Sequence, residues 1–283
     1  MKINSRTFLF AAAALLCMAA TGTLAQNKAD YSAKHREFCS NDNYSSGDRM
    51  QYRDLRESTV PATGEVSVSG GQNGGVRVIG ENRSDILVRA CVQTWGTTDA
   101  EAKAVASNIR IETGGTIKAE GTPAENKNWS VSFELTVPRN SNLNLTAHNG
   151  GISIENVDGS IQFETTNGGV HLNELAGDVR GRTTNGGLHI ELSGNSWKGN
   201  GLDVQTINGG VSLELSSNYA AHIETGTVNG GFQSDFAALN VDRKERSRTA
   251  RISTDLNGGG APIRVVTTNG GIRINSSERS SRN

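Results

Sequence analysis

On both sides of a recurring Asn-Gly-Gly tripeptide, apolar and polar residues alternate at every second position. Copies begin at Asn73, Asn149, Asn167, Asn185, Asn208, Asn229, Asn257 and Asn269, and five of them read TTNGGVHL, TTNGGLHI, TINGGVSL, TVNGGFQS and TTNGGIRI. Before the tripeptide stand pairs such as Ile161/Phe163 and Leu202/Val204, followed by a Thr two residues before the Asn (Thr165, Thr183, Thr206, Thr227, Thr267). After it come Val170/Leu172, Leu188/Ile190, Val211/Leu213 and Ile272/Ile274. Period-two alternation buries one face of a strand and solvates the other. Asn-Gly between two such runs predicts a strand–turn–strand unit.

The copies at 149, 167 and 185 are each 18 residues apart; the next intervals are 23 and 21, with insertions such as GNSWKGNG, and the 40-residue step from 229 to 269 contains the copy at 257. One strand pair does not bury its apolar face stably. Stacked copies turn equivalent positions into continuous columns, each unit pairing with the next. The spacing therefore predicts an all-β fold, a β-solenoid of stacked units over residues 139–275. An antiparallel β-meander or barrel is the alternative, because Asn-Gly also favours hairpins. The structural turns are Asn149-Gly150-Gly151, Asn167-Gly168-Gly169, Asn185-Gly186-Gly187, Asn208-Gly209-Gly210, Asn229-Gly230-Gly231 and Asn269-Gly270-Gly271. Their glycines are expected to supply positive φ values, and their Asn side chains to hydrogen-bond along the stack as an amide ladder.

Upstream the pattern changes. Residues 60–138 read as a β-rich cap, with VSVSGGQNGGVRVIG, DILVRACVQTW and WSVSFELTVP as strands. A short helix is predicted near 98–108, where Thr98 and Glu101 form a capping box. Residues 26–59 are polar with little periodicity and read as an irregular mature N-terminus. Residues 276–283, at the SSERSSRN end, read as a disordered tail.

Residues 1–25 have the form of a secretory signal: Lys2 and Arg6, an apolar stretch from Phe8 to Ala20, and a small residue at Ala25. Cleavage there leaves 258 residues and moves the formal charge from −1 to −3, since two cations and no acids are removed. The mature chain is thus expected outside the cytoplasm, periplasmic or secreted, with no transmembrane segment. Its near-neutral balance provides no field for nucleic acid. Aromatic residues are only 5%, so stacking platforms for bases or sugars are few. Two cysteines remain, Cys39 and Cys91, and read either as one disulfide or as two separate thiols.

VPRNSNLNLTAHNGGISI, VDGSIQFETTNGGVHL and GDVRGRTTNGGLHIEL resemble the bacterial β-strand-repeat family of unknown function labelled "putative adhesin". The resemblance runs from about Thr59 to Ile274. It implies an architecture and an adhesin-like role, not an activity. Relatives carry a second cysteine near the stretch that reads MQYRDLRES here. None occurs there in this chain, so the resemblance leaves Cys39–Cys91 as the intramolecular disulfide option.

Candidate chemistry is sparse. His171 and His189 occupy equivalent positions, but their counterparts are Ser153 and Ser212 with no carboxylate in that column. Zinc takes three or four ligands, so these read as a solvated polar column. Strands rather than helices follow the glycines, which argues against a phosphate loop. The turns lack the Asp of calcium-binding β-rolls. Acids such as Glu164, Asp178 and Glu191 are scattered rather than paired as a glycosidase needs. Two breaks in the repeat remain as contact candidates: Trp197 in GNSWKGNG, and Arg243, Lys244, Arg246 and Arg248 in DRKERSRTAR. The expectation is a non-enzymatic protein without cofactor, binding or scaffolding at the cell envelope, its partner an envelope or surface component. An extracytoplasmic sensor or accessory protein is the alternative, and a carbohydrate-active β-helix enzyme the lesser one.

Overall fold

The computed structural model describes residues 38–39, 49–62, 64–121, 128–239 and 250–277. The chain divides into two compact units, Met1–Asn43 and Tyr44–Asn283. Of the first, Phe38 and Cys39 are described, in a turn. The signal segment 1–25, the basic residues Arg243, Lys244, Arg246 and Arg248, and residues 278–283 of the expected tail lie outside the described residues.

The second unit is all-β with one α-helix among the described residues. In chain order the elements are β1 (Met50–Pro61), β2 (Glu65–Ser69), β3 (Val76–Glu81), β4 (Asp85–Gly96), α1 (Asp99–Ser107), β5 (Arg110–Glu112), β6 (Lys118–Glu120), β7 (Trp129–Pro138), β8 (Asn142–Ala147), β9 (Ile152–Glu155) and β10 (Asp158–Thr165). Then follow β11 (Val170–Asn173), β12 (Ala176–Thr183), β13 (Leu188–Glu191), β14 (Gly201–Asn208), β15 (Val211–Ser216), β16 (Ala221–Asn229), β17 (Phe232–Ser234), β18 (Ala250–Leu256), β19 (Pro262–Asn269) and β20 (Ile272–Ser277). Both large sheets are open. One has ten strands in the order β1-β4-β7-β3-β9-β11-β13-β15-β20-β17; the other has eight, β18-β16-β19-β14-β12-β10-β8-β2. Open edges exclude the barrel alternative, and parallel pairing of the repeat strands excludes the meander.

Each Asn-Gly-Gly turn except the one at Asn257 connects a strand of the eight-stranded sheet to one of the ten-stranded sheet. The resulting rungs are β2–β3, β8–β9, β10–β11, β12–β13, β14–β15, β16–β17 and β19–β20. Register aligns their apolar positions. On one sheet Leu143, Ile161, Val179, Leu202, Ile263 and Ile223 form a column; on the other, Ile154, Leu172, Ile190, Leu213 and Ile274 do. All are buried, and burial of each such side chain contributes about 1.5–3 kcal/mol. The columns are complementary in volume as well. A Cβ at Gly181 would meet the Phe163 ring at 2.3 Å, so this ring occupies the space that the next rung leaves vacant.

The rungs do not stack in sequence order. The last to be synthesised, β19–β20, lies between β14–β15 and β16–β17, pairing in parallel with both. The expectation that each unit pairs with the next in sequence fails at this end of the stack. All rungs carry the same turn phrase, so the phrase fixes register without fixing order. Beyond β16, β18 adds an antiparallel edge.

At the other end, β7 continues the ten-stranded sheet in parallel with β3, followed by antiparallel β4 and β1. Residues 50–59, read from sequence as irregular, therefore belong to a twelve-residue edge strand. Their charge hid the strand, but charged side chains are what an exposed edge carries. Helix α1 starts at Thr98, whose hydroxyl accepts from the Glu101 N–H at 3.2 Å; Glu101 in turn accepts from the Thr97 N–H at 2.8 Å. The Thr97 hydroxyl and N–H hold the Glu101 carboxyl below its ordinary range.

Candidate functional site

The turn corner is the most regular chemical feature of the molecule. Asn149 donates its side-chain N–H to Asn73 Oδ1 at 2.9 Å, Asn167 to Asn149 at 2.8 Å, and Asn185 to Asn167 at 2.7 Å. The series continues from Asn208 to Asn185, Asn269 to Asn208, and Asn229 to Asn269, each at 2.8 Å. It follows the spatial order of the rungs, with Asn269 ahead of Asn229. Beneath it, Thr165, Thr183, Thr206, Thr267 and Thr227 donate their hydroxyls to the first-glycine carbonyl of the preceding rung, at 2.8–2.9 Å. Each Thr is buried, and its polar group is satisfied there.

The glycines play a different part from the one sequence reasoning assigned. No glycine of these seven turns has φ in the left-handed region. The first glycine is required by close approach instead. A Cβ at Gly150 would lie 2.1 Å from Gly74 O, at Gly168 2.1 Å from Gly150 O, at Gly186 2.0 Å from Gly168 O, and at Gly230 1.8 Å from Gly270 O. The backbone of one rung rests directly on the carbonyl below. Second glycines have more room: a Cβ at Gly169, Gly187, Gly210 or Gly271 would stay 3.4–3.8 Å from its nearest neighbour. Their carbonyls accept the N–H of the following strand in the adjacent rung, as in Ile152 N–H to Gly169 O at 3.0 Å. The eighth copy does use positive φ, at Asn257 (48°), Gly258 (94°) and Gly259 (80°). Asn257 caps the Ser217 and Tyr219 carbonyls rather than joining the ladder.

Outside the corner, side chains cluster in three places. His171 and His189 stack as in-register neighbours with ring centroids 5.4 Å apart, and His189 Nε2 lies 3.0 Å from Glu191 Oε1. Among the described residues no group of three or more His, Cys, Asp and Glu is arranged to hold a metal ion. Between β16 and the edge strand β18, His222 Nδ1 stands 2.6 Å from Asp255 Oδ1 and Nε2 stands 3.0 Å from Ser253 Oγ. That order resembles a nucleophilic triad, but a triad buries its aspartate, and the Asp255 side chain is 64% exposed. His222 and Asp255 face each other in register, as do Glu224 and Ser253. The cluster acts as cross-strand pairs that tie β18 to β16.

The third cluster is a charge row across β1, β4, β7 and β3, buried at Arg89 and Glu134. Arg89 reaches Glu134 at 2.6 Å and Glu57 at 2.8 Å, and Arg77 reaches Glu134 at 3.3 Å. Burial pulls the Arg89 guanidinium down, but its hydrogen bonds and attraction to Glu57 and Glu134 outweigh this and raise it above its ordinary value. Cys91 is fully buried on the same outward side of β4, and both it and Cys39 are disulfide-bonded.

Trp197 corrects a second expectation. It is 7% exposed, and its indole N–H donates to Gly177 O at 3.0 Å. The insertion folds back on the rung below, where Gly177 N–H bonds Lys198 O and Asn200 N–H bonds Gly177 O. Trp197 is therefore a core residue and presents no exposed contact.

Open parallel sheets, an amide ladder and glycine-packed corners place the chain among all-β repeat proteins. It belongs to the Toastrack DUF4097 family, whose model matches residues 49–275. Among solved structures it is similar to a putative cell adhesion protein from Clostridium sporogenes, at 13% identity over 80% of this chain and 100% of that one, with a TM-score of 0.39. It is also similar to a putative adhesin from Bacteroides fragilis (11% identity, 79% and 97% of the chains, TM-score 0.28) and to a putative lipid binding protein from Parabacteroides distasonis (9%, 78% and 96%, TM-score 0.30). No curated protein matches the chain. No helix of the described residues is long and apolar enough to cross a membrane.

Proposed function

We propose that this chain is a β-solenoid and a non-enzymatic binding or scaffolding module of the cell envelope, exported by residues 1–25 and acting in the periplasm or at the cell surface. The observation that supports this most is the outward register of the rungs. Rows such as Asn144, Gln162, Arg180, Asp203, Arg264 and Glu224 run across strands that are locked in place by the ladder. A rigid, polar, extended surface of this kind suits broad contacts with an envelope polymer or protein. The adhesin names of relatives point the same way. We further propose that Cys39 and Cys91 pair with each other, as an oxidising compartment allows.

Affinity capture from envelope extract with the purified exported chain tests the reading. Recovery of one specific envelope component is expected; recovery of cytoplasmic proteins alone would contradict it. Protease treatment of intact cells then separates surface display, which gives digestion, from a periplasmic sensor or accessory role, which gives protection. N-terminal sequencing of the exported protein should begin at Gln26.

A further inference from the structure

The outward face of the eight-stranded sheet is polar along most of its length and changes character at one place. At the position just before the ladder Asn, successive rungs carry Thr166, Thr184, Ile207, Thr268 and Val228. Two residues earlier they carry Glu164, Arg182, Gln205, Val266 and Gly226. Over the last three rungs of the stack Ile207, Val266 and Val228 thus stand where earlier rungs carry polar side chains, and Gly226 has no side chain, while Gln205 and Thr268 stay polar. Ile207 is 48% exposed and Val228 43%, two of the four exposed large hydrophobic residues among those described. Together with Val266 and Gly226 they shape a groove of about 610 Å³.

Charge at the groove is asymmetric. Arg264 is engaged by Asp203 at 2.5 Å. Glu224 lies beside His222 at 3.8 Å. Arg251, directly opposite Gly226 on β18, is exposed, and its guanidinium makes no ion pair or hydrogen bond among the described residues. An apolar floor with one unsatisfied, planar, always-charged donor fork at its side matches a ligand with a hydrocarbon body and a carboxylate end. A sugar would want an aromatic platform, and none of the described residues that line the groove is aromatic.

We propose that this groove binds the free carboxylate form of a single aliphatic chain, with its hydrocarbon on Ile207, Val266 and Val228 above Gly226 and its carboxylate paired with Arg251. The inference rests on the binding reading above and names a ligand class for it. Calorimetric titration of the purified exported chain with dodecanoate, below its micellar concentration, is the test. One dodecanoate per chain is expected. Arg251→Glu and Val228→Asp should each weaken binding at least tenfold, and Arg182→Glu, on the same face outside the groove, should leave it unchanged. Dodecyl maltoside, with the same chain and no charge, should bind at least tenfold more weakly than dodecanoate. Both groove substitutions are at exposed positions, and unchanged melting curves verify the fold; should Val228→Asp melt early, Arg251→Glu carries the test alone. Absence of saturable binding, indifference to both groove variants, or capture by acidic phospholipid vesicles without uptake of free dodecanoate would each overturn the proposal. Envelope capture that survives Arg251→Glu would separate failure of the groove from failure of the binding role.

Discussion

One added methyl group at Gly186 and one at Gly187 should have very different consequences, although the residues are adjacent in one turn. At Gly186 the new Cβ would stand 2.0 Å from Gly168 O, a backbone atom with no rotamer to yield. Relief to a tolerable contact requires the rungs to part by roughly 1 Å, against a strand spacing of about 4.8 Å. That opening strains the Asn185–Asn167 amide bond, now 2.7 Å, and the Thr183 hydroxyl bond to the same Gly168 carbonyl, now 2.9 Å. Overpacking costs about 1–3 kcal/mol and each hydrogen bond about 0.5–1.5 kcal/mol. Gly186→Ala should therefore destabilise by roughly 2–6 kcal/mol, a melting-temperature drop of about 4–24 °C for a domain of this size. At Gly187 the nearest atom would be Gly210 O at 3.4 Å, and φ is not left-handed. Gly187→Ala should stay within about 0.5 kcal/mol of the parent or gain slightly from a less flexible unfolded chain. Urea unfolding followed by far-ultraviolet circular dichroism measures both. Equal losses, or a larger loss at Gly187, would refute the close-approach argument.

Three further outcomes follow from other parts of the structure. Arg89→Ala takes from the fully buried Glu134 its 2.6 Å ion-pair partner, so stability should fall by about 3–5 kcal/mol in the same urea assay; a loss under 1 kcal/mol would show the row to be dispensable. Burial pushes the Tyr219 phenol up to about 12; because the unfolded phenol ionises near ~10, its contribution is intact below that pH and is lost as pH rises toward 12. Tyr219→Phe should flatten that alkaline decline, and an identical pH profile for the two proteins would rule this assignment out. Peptide mapping without reductant, on the chain produced in an oxidising compartment, should recover the Cys39 and Cys91 peptides linked, and recovery of either as a free thiol would exclude the pairing.

Much of the repeat was legible because period-two alternation, the Thr column and the Asn-Gly-Gly phrase each report a local requirement that every rung repeats. The amide ladder was legible for the same reason: equivalent Asn residues meet if equivalent strands pair. Three features were not. The first-glycine requirement arises between rungs, from a carbonyl 18 or more residues away in sequence, such as Gly150 O beneath Gly168, so a single turn read alone suggests φ instead. Rung order depends on which of several near-identical strands fills a slot, and TTNGGIRI carries no mark that sets it between Asn208 and Asn229. Trp197 sits in a Gly- and Asn-rich insertion whose composition signals exposure, while its indole finds Gly177 O on a neighbouring rung. The groove at Ile207 and Val228 does have a sequence signal: TINGG and TVNGG break the TTNGG column at those two residues.

The insertion of the last rung between two earlier ones is the least local claim made for this chain, and paired cysteines test it most directly. Ser212 on β15 is the register partner of Arg273 on β20, whereas Gln233 on β17 pairs with Arg273 from the far side. Ser212 therefore lies one strand from Arg273 and two strands, roughly 9–10 Å, from Gln233. Mild oxidation should link Ser212→Cys to Arg273→Cys efficiently and leave Ser212→Cys with Gln233→Cys unlinked. Efficient linkage of the Ser212 and Gln233 positions, with none to 273, would mean that the rungs stack in sequence order and would contradict the account.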